Sequence, residues 1–198
     1  LKNKNENQLN SYLKKFLPKN DIVITSDYGH GFISQFSANL ISKSKKFTAL
    51  NAQVNASNIG YHSLAKYKNI DTIIINETEL RHELRDRNGK LENLIKILSK
   101  KILCKYLVVT SGSDGVCLYN VENDKFYYCP AFASKIIDKV GAGDTMLAIL
   151  SILLKEQIDT DLALFISSIA ASESVEALAN SVTIKKSLLF KKADHMLK

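Results

Sequence analysis

The chain has 198 residues, of which 45% are hydrophobic and 24% are charged, the composition of an ordinary folded globular protein. That length corresponds to one domain, or to one domain and a fragment. Two prolines and eight glycines exclude a low-complexity linker. The longest apolar run, Ala148 to Leu154, is too short for a membrane span, and no signal-peptide pattern is visible. We therefore expect no membrane partner.

The net charge of +7 comes mainly from lysines that are scattered along the chain. They form no block of like charges and no basic strand with interleaved aromatic residues, so we expect a solvated lysine-rich surface and no nucleic-acid partner. Cys104, Cys117 and Cys129 are well separated and make no CxxC pair. Buried, reduced thiols in a cytoplasmic protein are the simplest interpretation.

The first half of the chain alternates predicted helices and strands. Residues 3–17 have the periodicity of a helix that Pro18 stops, and the β-branched run at 22–26 predicts a buried strand. The same patterns then predict, in order, helix 32–42, strand 47–50, helix 61–67, strand 71–76, and helices 77–86 and 91–103.

The second half opens on a strand at 106–110 and continues with a predicted hairpin, 115–120 and 125–131, about an Asn123–Asp124 turn. Beyond the hairpin the chain is nearly all helix, at 143–155, 159–178 and 184–196. Strands that alternate with helices indicate an α/β fold with a mainly parallel sheet, which we expect to form a single domain over 1–198. Ligands of such sheets bind past the carboxyl ends of the strands.

The strongest motif runs from Asp138 to Thr145, where small residues enter an apolar helix. Gly141, Ala142 and Gly143 would let a ligand approach the free N–H groups of the helix start, which favour an anion. An aspartate beside an anion site makes chemical sense if it accepts a proton from an attacking hydroxyl. The alternative is that Asp144 only caps the helix.

Two further motifs follow predicted strands. Thr110, Gly112 and Gly115 lie in a turn that suits a phosphate, although a turn between two strands uses the same residues. Asn76 and Glu79 fall on one side of a first helical turn and carry oxygen ligands that suit a hydrated Mg²⁺. Here the alternative is a capping box, with Asn76 as N-cap.

The fourth motif, from Ser26 to Gly31, also follows a strand. Asp27 could contact a ligand or cap the next helix, and a lone loop histidine such as His30 is usually only solvated. The asparagine-rich loop 51–58 could face a sugar or be a surface turn. Asp27 and Asn51 are the candidate substrate contacts.

Together, the four motifs resemble, in order and spacing, the PfkB/ribokinase family of sugar and nucleoside kinases over roughly residues 20–180. The stretch from Asp138 to Thr145 is the most specific part. The SDYGHG at 26–31 is similar to the SDYGKG of heptose-phosphate kinases. The run at 50–67 resembles instead the kinase half of bacterial proteins that pair such a kinase with a sugar nucleotidyltransferase.

The resemblance implies a ribokinase-like three-layer αβα fold and ATP-dependent phosphoryl transfer to a sugar or sugar phosphate. It implies that Asp144 is the general base and that the N–H groups at 141–143 hold the transferred phosphoryl group. Mg²⁺ would lie by Asn76 and Glu79, ATP would lie by Thr110, Gly112, Gly115 and Asn180, and Asp138 would lie near a monovalent cation.

The chain departs from the family pattern at two positions: Lys139 stands where the family often has threonine, and His30 stands where lysine is usual. A third departure concerns the N-terminal part of the kinase. Nothing here matches the family's N-terminal sugar-binding segment or its lid. We therefore expect the C-terminal, nucleotide-binding portion of a kinase, with a possible homodimer in the full-length protein and a possible nucleotidyltransferase partner. The alternatives are a non-catalytic nucleotide-binding module attached to a transferase, and an unrelated α/β binding domain.

Overall fold

The computed structural model describes residues 2–53, 64–133, 135, 137–138, 141–176 and 183–197. By its internal contacts the chain divides into two compact units. The first comprises Leu1–Val109 and Tyr119–Lys125, and the second comprises Thr110–Leu118 and Phe126–Lys198. The six strands of the described chain form one sheet in sequence order, and the predicted α/β class with a mostly parallel sheet is confirmed.

The helices and strands of the first unit follow the predicted order. In sequence they are α1 (Lys2–Phe16), β1 (Ile22–Asp27), α2 (Gln35–Ser42), β2 (Phe47–Ala52), a 3-10 turn (Leu64–Lys66), β3 (Thr72–Asn76), α3 (Glu77–Leu84), α4 (Leu91–Ile102) and β4 (Tyr106–Thr110, whose last residue belongs to the second unit). Helix α2 begins three residues later than predicted because the Ser34 hydroxyl accepts the Ser37 N–H at 3.2 Å and caps it there. Residues 61–63 of the predicted helix 61–67 lie outside the described residues.

The core of the first unit is formed by strands rich in β-branched residues and by one strongly amphipathic helix. Ile73, Ile74 and Ile75 of β3 are at most 1% exposed, as expected for a strand covered on both faces. In α4 the buried side chains recur at helical spacing, while Ile97 on the opposite face is exposed. The predicted α4 periodicity is therefore confirmed.

The pairing of β1, β2 and β3 is parallel and in register. Ser26 lies opposite Asn51, and Asn51 lies opposite Ile74. The carboxyl ends of three neighbouring strands therefore meet at one edge of the sheet, where two of the four predicted motifs and the asparagine-rich loop begin.

The second unit holds β5 (Val116–Asn120), β6 (Lys125–Cys129), α5 (Ala142–Lys155), α6 (Thr160–Val175) and α7 (Lys186–Met196), apart from the few residues of β5 and β6 that belong to the first unit. Strands β5 and β6 are neighbours, as the predicted hairpin requires. Helix α5 packs on α6, and the Thr145 and Ser174 hydroxyls lie 2.7 Å apart across that contact. Phe132 and Phe165 meet edge to face at 5.5 Å.

The three cysteines are buried and form no disulfide bond in the described chain, in agreement with the sequence interpretation. Burial raises the pKa of the Cys104 thiol to about 12, so this thiol is not a reactive nucleophile. Within the described residues, every helix falls short of the length or the apolarity that a membrane crossing needs.

Candidate functional site

Asp27, the last residue of β1, has a buried carboxylate that is 3% exposed. Its Oδ2 atom lies 2.6 Å from the Lys66 Nζ atom and accepts the Tyr67 hydroxyl at 2.7 Å. Its Oδ1 atom accepts the Gly29 N–H at 3.0 Å. Sequence reasoning identified Asp27 as a substrate contact, whereas the structure places this carboxylate in contact with three donors of the protein itself.

The electrostatics of this cluster favour a charged carboxylate. Burial alone would raise the pKa of Asp27, but the Lys66 ammonium, the Tyr67 hydroxyl and the Gly29 N–H outweigh it, and the pKa lies below its usual value. Burial and the neighbouring carboxylate raise the pKa of the Tyr67 hydroxyl, which therefore remains a donor.

Lys66 and Tyr67 are residues that the sequence analysis missed. Each contacts Asp27 from about 40 positions further along the chain, and Lys66 also donates to the Ile33 carbonyl at 2.8 Å. No local pattern could reveal a contact of this range. The only available signal was the prediction that the segments at the carboxyl ends of parallel strands lie close together.

Asn51 lies near the end of β2 and is 6% exposed. Its Nδ2 atom donates to the Ile74 carbonyl oxygen at 2.8 Å, which fixes the orientation of the amide. Its Oδ1 atom has no hydrogen-bond partner among the described residues. A buried acceptor without a donor is costly, so this oxygen is a candidate ligand contact at the carboxyl end of β2. Residues 54–58 of the asparagine-rich loop lie outside the described residues.

Asn76 and Glu79, the predicted Mg²⁺ residues, form a capping box at the start of α3. The Asn76 Oδ1 atom accepts the Glu79 N–H, and the Glu79 Oε2 atom accepts the Asn76 N–H, both at 2.8 Å. In the described parts of the chain no group of three or more His, Cys, Asp and Glu side chains could hold a metal ion. The pair therefore fits only an ion that keeps most of its waters and gains further oxygen ligands from a bound phosphate.

In the second unit, the turn after β4 closes on itself. The Ser111 N–H donates to the Gly115 carbonyl at 2.8 Å, and Thr110 is partly exposed at the strand end. Gly112 (φ +59°) has nothing within 4 Å of an added Cβ, whereas a Cβ on Gly115 (φ +90°) would lie 2.2 Å from the Cys129 carbonyl oxygen. Gly115 is thus required by packing, and Gly112 borders open space.

The start of α5 carries the Gly-Ala-Gly-Asp motif. Gly141 is the N-cap, with φ +88° and no side-chain cap, and Asp144 is the third helical residue. Asp144 is therefore not the N-cap, which was the alternative to a catalytic role. The first N–H groups of a helix have no partner inside it, and the space above Gly143 is open for 4 Å around an added Cβ.

Of the two remaining predicted site residues of this unit, Asp138 is described by the structure and Asn180 is not. The Asp138 N–H donates to the Val175 carbonyl at 3.1 Å, which ties the loop before α5 to the end of α6. Lys139 and Asn180 lie outside the described residues. The structure brings Asp27, Asn51 and Asn76 to one sheet edge in the first unit, and Asp138 and Asp144 lie in the second.

The fold is that of an α/β domain with polar side chains at the carboxyl ends of its parallel strands. The pfkB family carbohydrate kinase profile matches residues 2–183. The chain belongs to the pfkB family of carbohydrate kinases.

Among curated relatives, the chain is 28% identical over 165 residues to the bifunctional protein HldE of Campylobacter fetus subsp. fetus (strain 82-40), covering 82% of this chain and 35% of that protein. It is also 28% identical over 163 residues to the bifunctional protein HldE of Campylobacter concisus (strain 13826), covering 80% and 33%. The chain therefore spans about a third of the length of these relatives.

Solved structures of the same fold include Arabidopsis thaliana ribokinase complexed with ribose and ATP, with a TM-score of 0.68, 22% identity, and coverage of 84% of this chain and 53% of that one. Phosphofructokinase-2 from Escherichia coli in complex with potassium gives a TM-score of 0.77 at 14% identity, covering 98% and 63%. The ribokinase-like fold expected from the motifs is confirmed.

The two glycines of the β4 turn predict different responses to substitution. Gly115→Ala should lower the free energy of unfolding by about 2 kcal/mol or more, because the new methyl group meets the Cys129 carbonyl in a left-handed backbone. Gly112→Ala should cost only about 1 kcal/mol, the conformational penalty alone. Urea unfolding of both variants measures this, and equal losses would contradict the structural role of Gly115.

Asp27→Asn should lower the free energy of unfolding by about 3 kcal/mol at pH 7, because it leaves the Lys66 ammonium without its counter-charge. Since the folded-state pKa of Asp27 is lowered, its stabilising contribution is complete above the unfolded pKa of about 4 and is lost as pH falls through the folded value. The gap between wild type and variant should therefore narrow in acid.

Denaturant unfolding across that pH range measures the gap. Asp21→Asn is the matched control, an exposed aspartate just before the same strand. A gap that stays constant from pH 7 to well below the unfolded pKa would contradict the assignment of Asp27 as a charged, ion-paired group.

Proposed function

We propose that this chain is the nucleotide-binding part of a kinase that transfers the γ-phosphoryl group of ATP to a hydroxyl of a sugar or sugar phosphate. Membership of the pfkB carbohydrate kinase family over residues 2–183 supports the class of reaction. The observation that carries the mechanism is the start of α5, where a glycine N-cap that supplies no side-chain cap is combined with an aspartate at the third helical position.

In this mechanism the Asp144 carboxylate accepts the proton of the acceptor hydroxyl. The hydroxyl oxygen forms a bond to the γ-phosphorus while the bond to the β-phosphate oxygen breaks, and ADP leaves. The N–H groups at Gly141, Ala142 and Gly143 donate to the phosphoryl oxygens as negative charge develops on them. The left-handed backbone of Gly141 and the open space at Gly143 support a close approach of the ligand.

The remaining site residues have proposed roles in binding. Thr110 and Gly112 border the nucleotide phosphates, Asp138 lies near a monovalent cation, and Asn180 flanks the base. Gly115 borders the nucleotide phosphates too, and it also shapes the turn, because the Cys129 carbonyl leaves no room for a side chain there. A hydrated Mg²⁺ held by Asn76 and Glu79 would supply charge neutralisation at the phosphates.

On the acceptor side, Asn51 accepts a hydrogen bond from the sugar through its unpaired Oδ1 atom. The longer relatives are bifunctional proteins, which supports a further catalytic portion, such as a nucleotidyltransferase, in the complete native chain.

Asp144→Asn should lower kcat for phosphoryl transfer about 10²- to 10⁴-fold in the complete native chain, with little change in ATP affinity, because the amide cannot accept the proton. Transfer of labelled γ-phosphate to a panel of sugars and sugar phosphates measures this. Asp161→Asn, an exposed first-turn aspartate of α6, is the matched control.

Unchanged phosphoryl transfer by Asp144→Asn would contradict the assignment of Asp144 as the general base. Firm ATP binding by the wild-type chain without transfer to any sugar would favour a non-catalytic nucleotide-binding module instead.

The capping box allows a sharp test of the Mg²⁺ role. Glu79→Gln keeps the oxygen that accepts the Asn76 N–H but removes the negative charge. It should therefore leave the thermal midpoint unchanged and weaken binding of a Mg·ATP analogue about tenfold, as measured by calorimetry. Glu92→Gln in the first turn of α4 is the control. Unaltered binding by Glu79→Gln would leave the pair with a structural role only.

A further inference from the structure

The turn at the start of α5 has little rigidity of its own. Gly141 and Gly143 lack side chains that would restrict the backbone, and Gly141 supplies no side-chain cap to the helix. Groups that stabilise a transition state must nevertheless be fixed before the reaction, because a displacement of about 1 Å can cost about a hundredfold in rate. The proposed chemistry at Asp144 therefore requires contacts that hold this turn from outside.

The last two residues of α6 contact the chain before and after this turn. Before it, the Val175 carbonyl accepts the Ile137 N–H at 3.0 Å and the Asp138 N–H at 3.1 Å. After it, the Ser174 hydroxyl lies 2.7 Å from the Thr145 hydroxyl, which belongs to the first turn of α5. One short segment of α6 therefore holds both ends of the motif.

The two contacts differ in what they require of the sequence. The final carbonyls of a helix have no partner inside the helix, and a carbonyl oxygen has two lone pairs, so the Val175 oxygen can accept both N–H groups. This backbone contact persists with any side chain at that position. The Ser174 hydroxyl is the part of the attachment that depends on the amino acid present.

The end of α6 is itself fixed by a charged contact from α7. Lys192 donates to the Glu176 Oε2 atom at 3.0 Å, and its Nζ atom also pairs with the Glu173 carboxylate. These two carboxylates lie on either side of residues 174–175 in the sequence. Helix ends ordinarily fray, whereas this one is tied to a second helix. Ser174 therefore lies on a well-anchored segment.

Helix packing alone would not require the hydroxyl pair. Both helices bury apolar side chains, such as Leu147 and Leu150 of α5 and Leu164 of α6. Replacing two hydrogen-bonded groups by an apolar pair of similar shape can be nearly neutral for stability. Ser174 is buried, and its hydrogen bond is directed to the residue that follows Asp144. The pair is therefore better explained by a need for fixed geometry at that point.

We propose that Ser174 is a positioning residue for phosphoryl transfer. Its hydroxyl contact with Thr145 holds the Asp144 carboxylate and the N–H groups at 141–143 in the reactive geometry. This inference rests on the proposed function, since it explains what orients the proposed base. Because Ser174 itself touches no substrate, its loss should lower kcat rather than weaken binding.

The first test is kinetic and uses the complete native chain, well below its thermal midpoint. Ser174→Ala should lower kcat about tenfold and leave KM for Mg·ATP and for the acceptor sugar unchanged. Thr145→Val keeps the branched shape, removes the other hydroxyl and should have the same effect, whereas Thr145→Ser should retain most of kcat. Ser167→Ala is the matched control, because that buried α6 hydroxyl donates to the Leu164 carbonyl of its own helix at 3.0 Å.

The double variant Ser174→Ala/Thr145→Val distinguishes a shared contact from two independent losses. If the hydroxyls act together, the double variant should lose no more kcat than either single variant. Losses of kcat that multiply, or an unchanged kcat in Ser174→Ala, would overturn the proposal and leave Ser174 as a packing residue. Should Ser174→Ala fail to fold, Thr145→Val and Thr145→Ser give the same comparison from the other side of the contact.

The second test does not depend on catalysis. The Thr145 N–H donates to the Gly141 carbonyl at 2.9 Å, and its hydrogen exchange reports opening of the first turn of α5. Exchange of this amide should be about tenfold faster in Ser174→Ala and unchanged in Ser167→Ala. Faster exchange in Ser174→Ala, together with no transfer to any sugar by the wild type, would refute the kinase but retain the attachment of the turn. Unchanged exchange, or active transfer with unchanged kcat in Ser174→Ala, would refute this inference.

Discussion

The in-register parallel pairing of β1, β2 and β3 is the constraint on which the first unit depends. It places the ends of these strands at one edge of the sheet, so side chains that are distant in sequence become neighbours. A shift of one residue would move Asn51 to the other face of the sheet and separate its amide from the Ile74 carbonyl. The Asp71 carboxylate just before β3 also holds this register, because it accepts the Thr48 N–H of β2 at 2.8 Å.

The polar side chains at this edge differ in how many of their hydrogen-bonding atoms are already used by the protein itself. The Asp27 carboxylate is used by Lys66, Tyr67 and Gly29, and the Asn76–Glu79 pair is used by its own helix cap. Among the described residues of this edge, the Asn51 oxygen is a buried acceptor that remains for a ligand. In the second unit the start of α5 offers backbone N–H groups beside a carboxylate. Phosphoryl transfer to a sugar requires donors that bind the anionic phosphate oxygens and acceptors that bind or deprotonate the sugar hydroxyl.

Local patterns predicted most of the fold and named part of the candidate site. The run of isoleucines in β3, the periodicity of α4 and the small residues before α5 each determine structure within a few positions. At Asn76 both sequence interpretations used the same atoms, so only geometry could reveal the capping box. The Lys66–Asp27 pair was missed because it depends on the tertiary path of the chain. At Gly115 a packing requirement and a phosphate turn favour the same amino acid, so the sequence alone could not reveal the packing role.

We infer that ligand chemistry takes place at the carboxyl ends of the strands and at the start of α5. Amide NMR of the complete native chain, with and without a non-hydrolysable Mg·ATP analogue, can locate the ligand. We expect shifts at 76–79, 110–115 and 141–144, and none at residues 69–71 and 103–105, which precede the amino ends of β3 and β4. Shifts confined to those amino ends, or no shifts at saturating analogue, would contradict it.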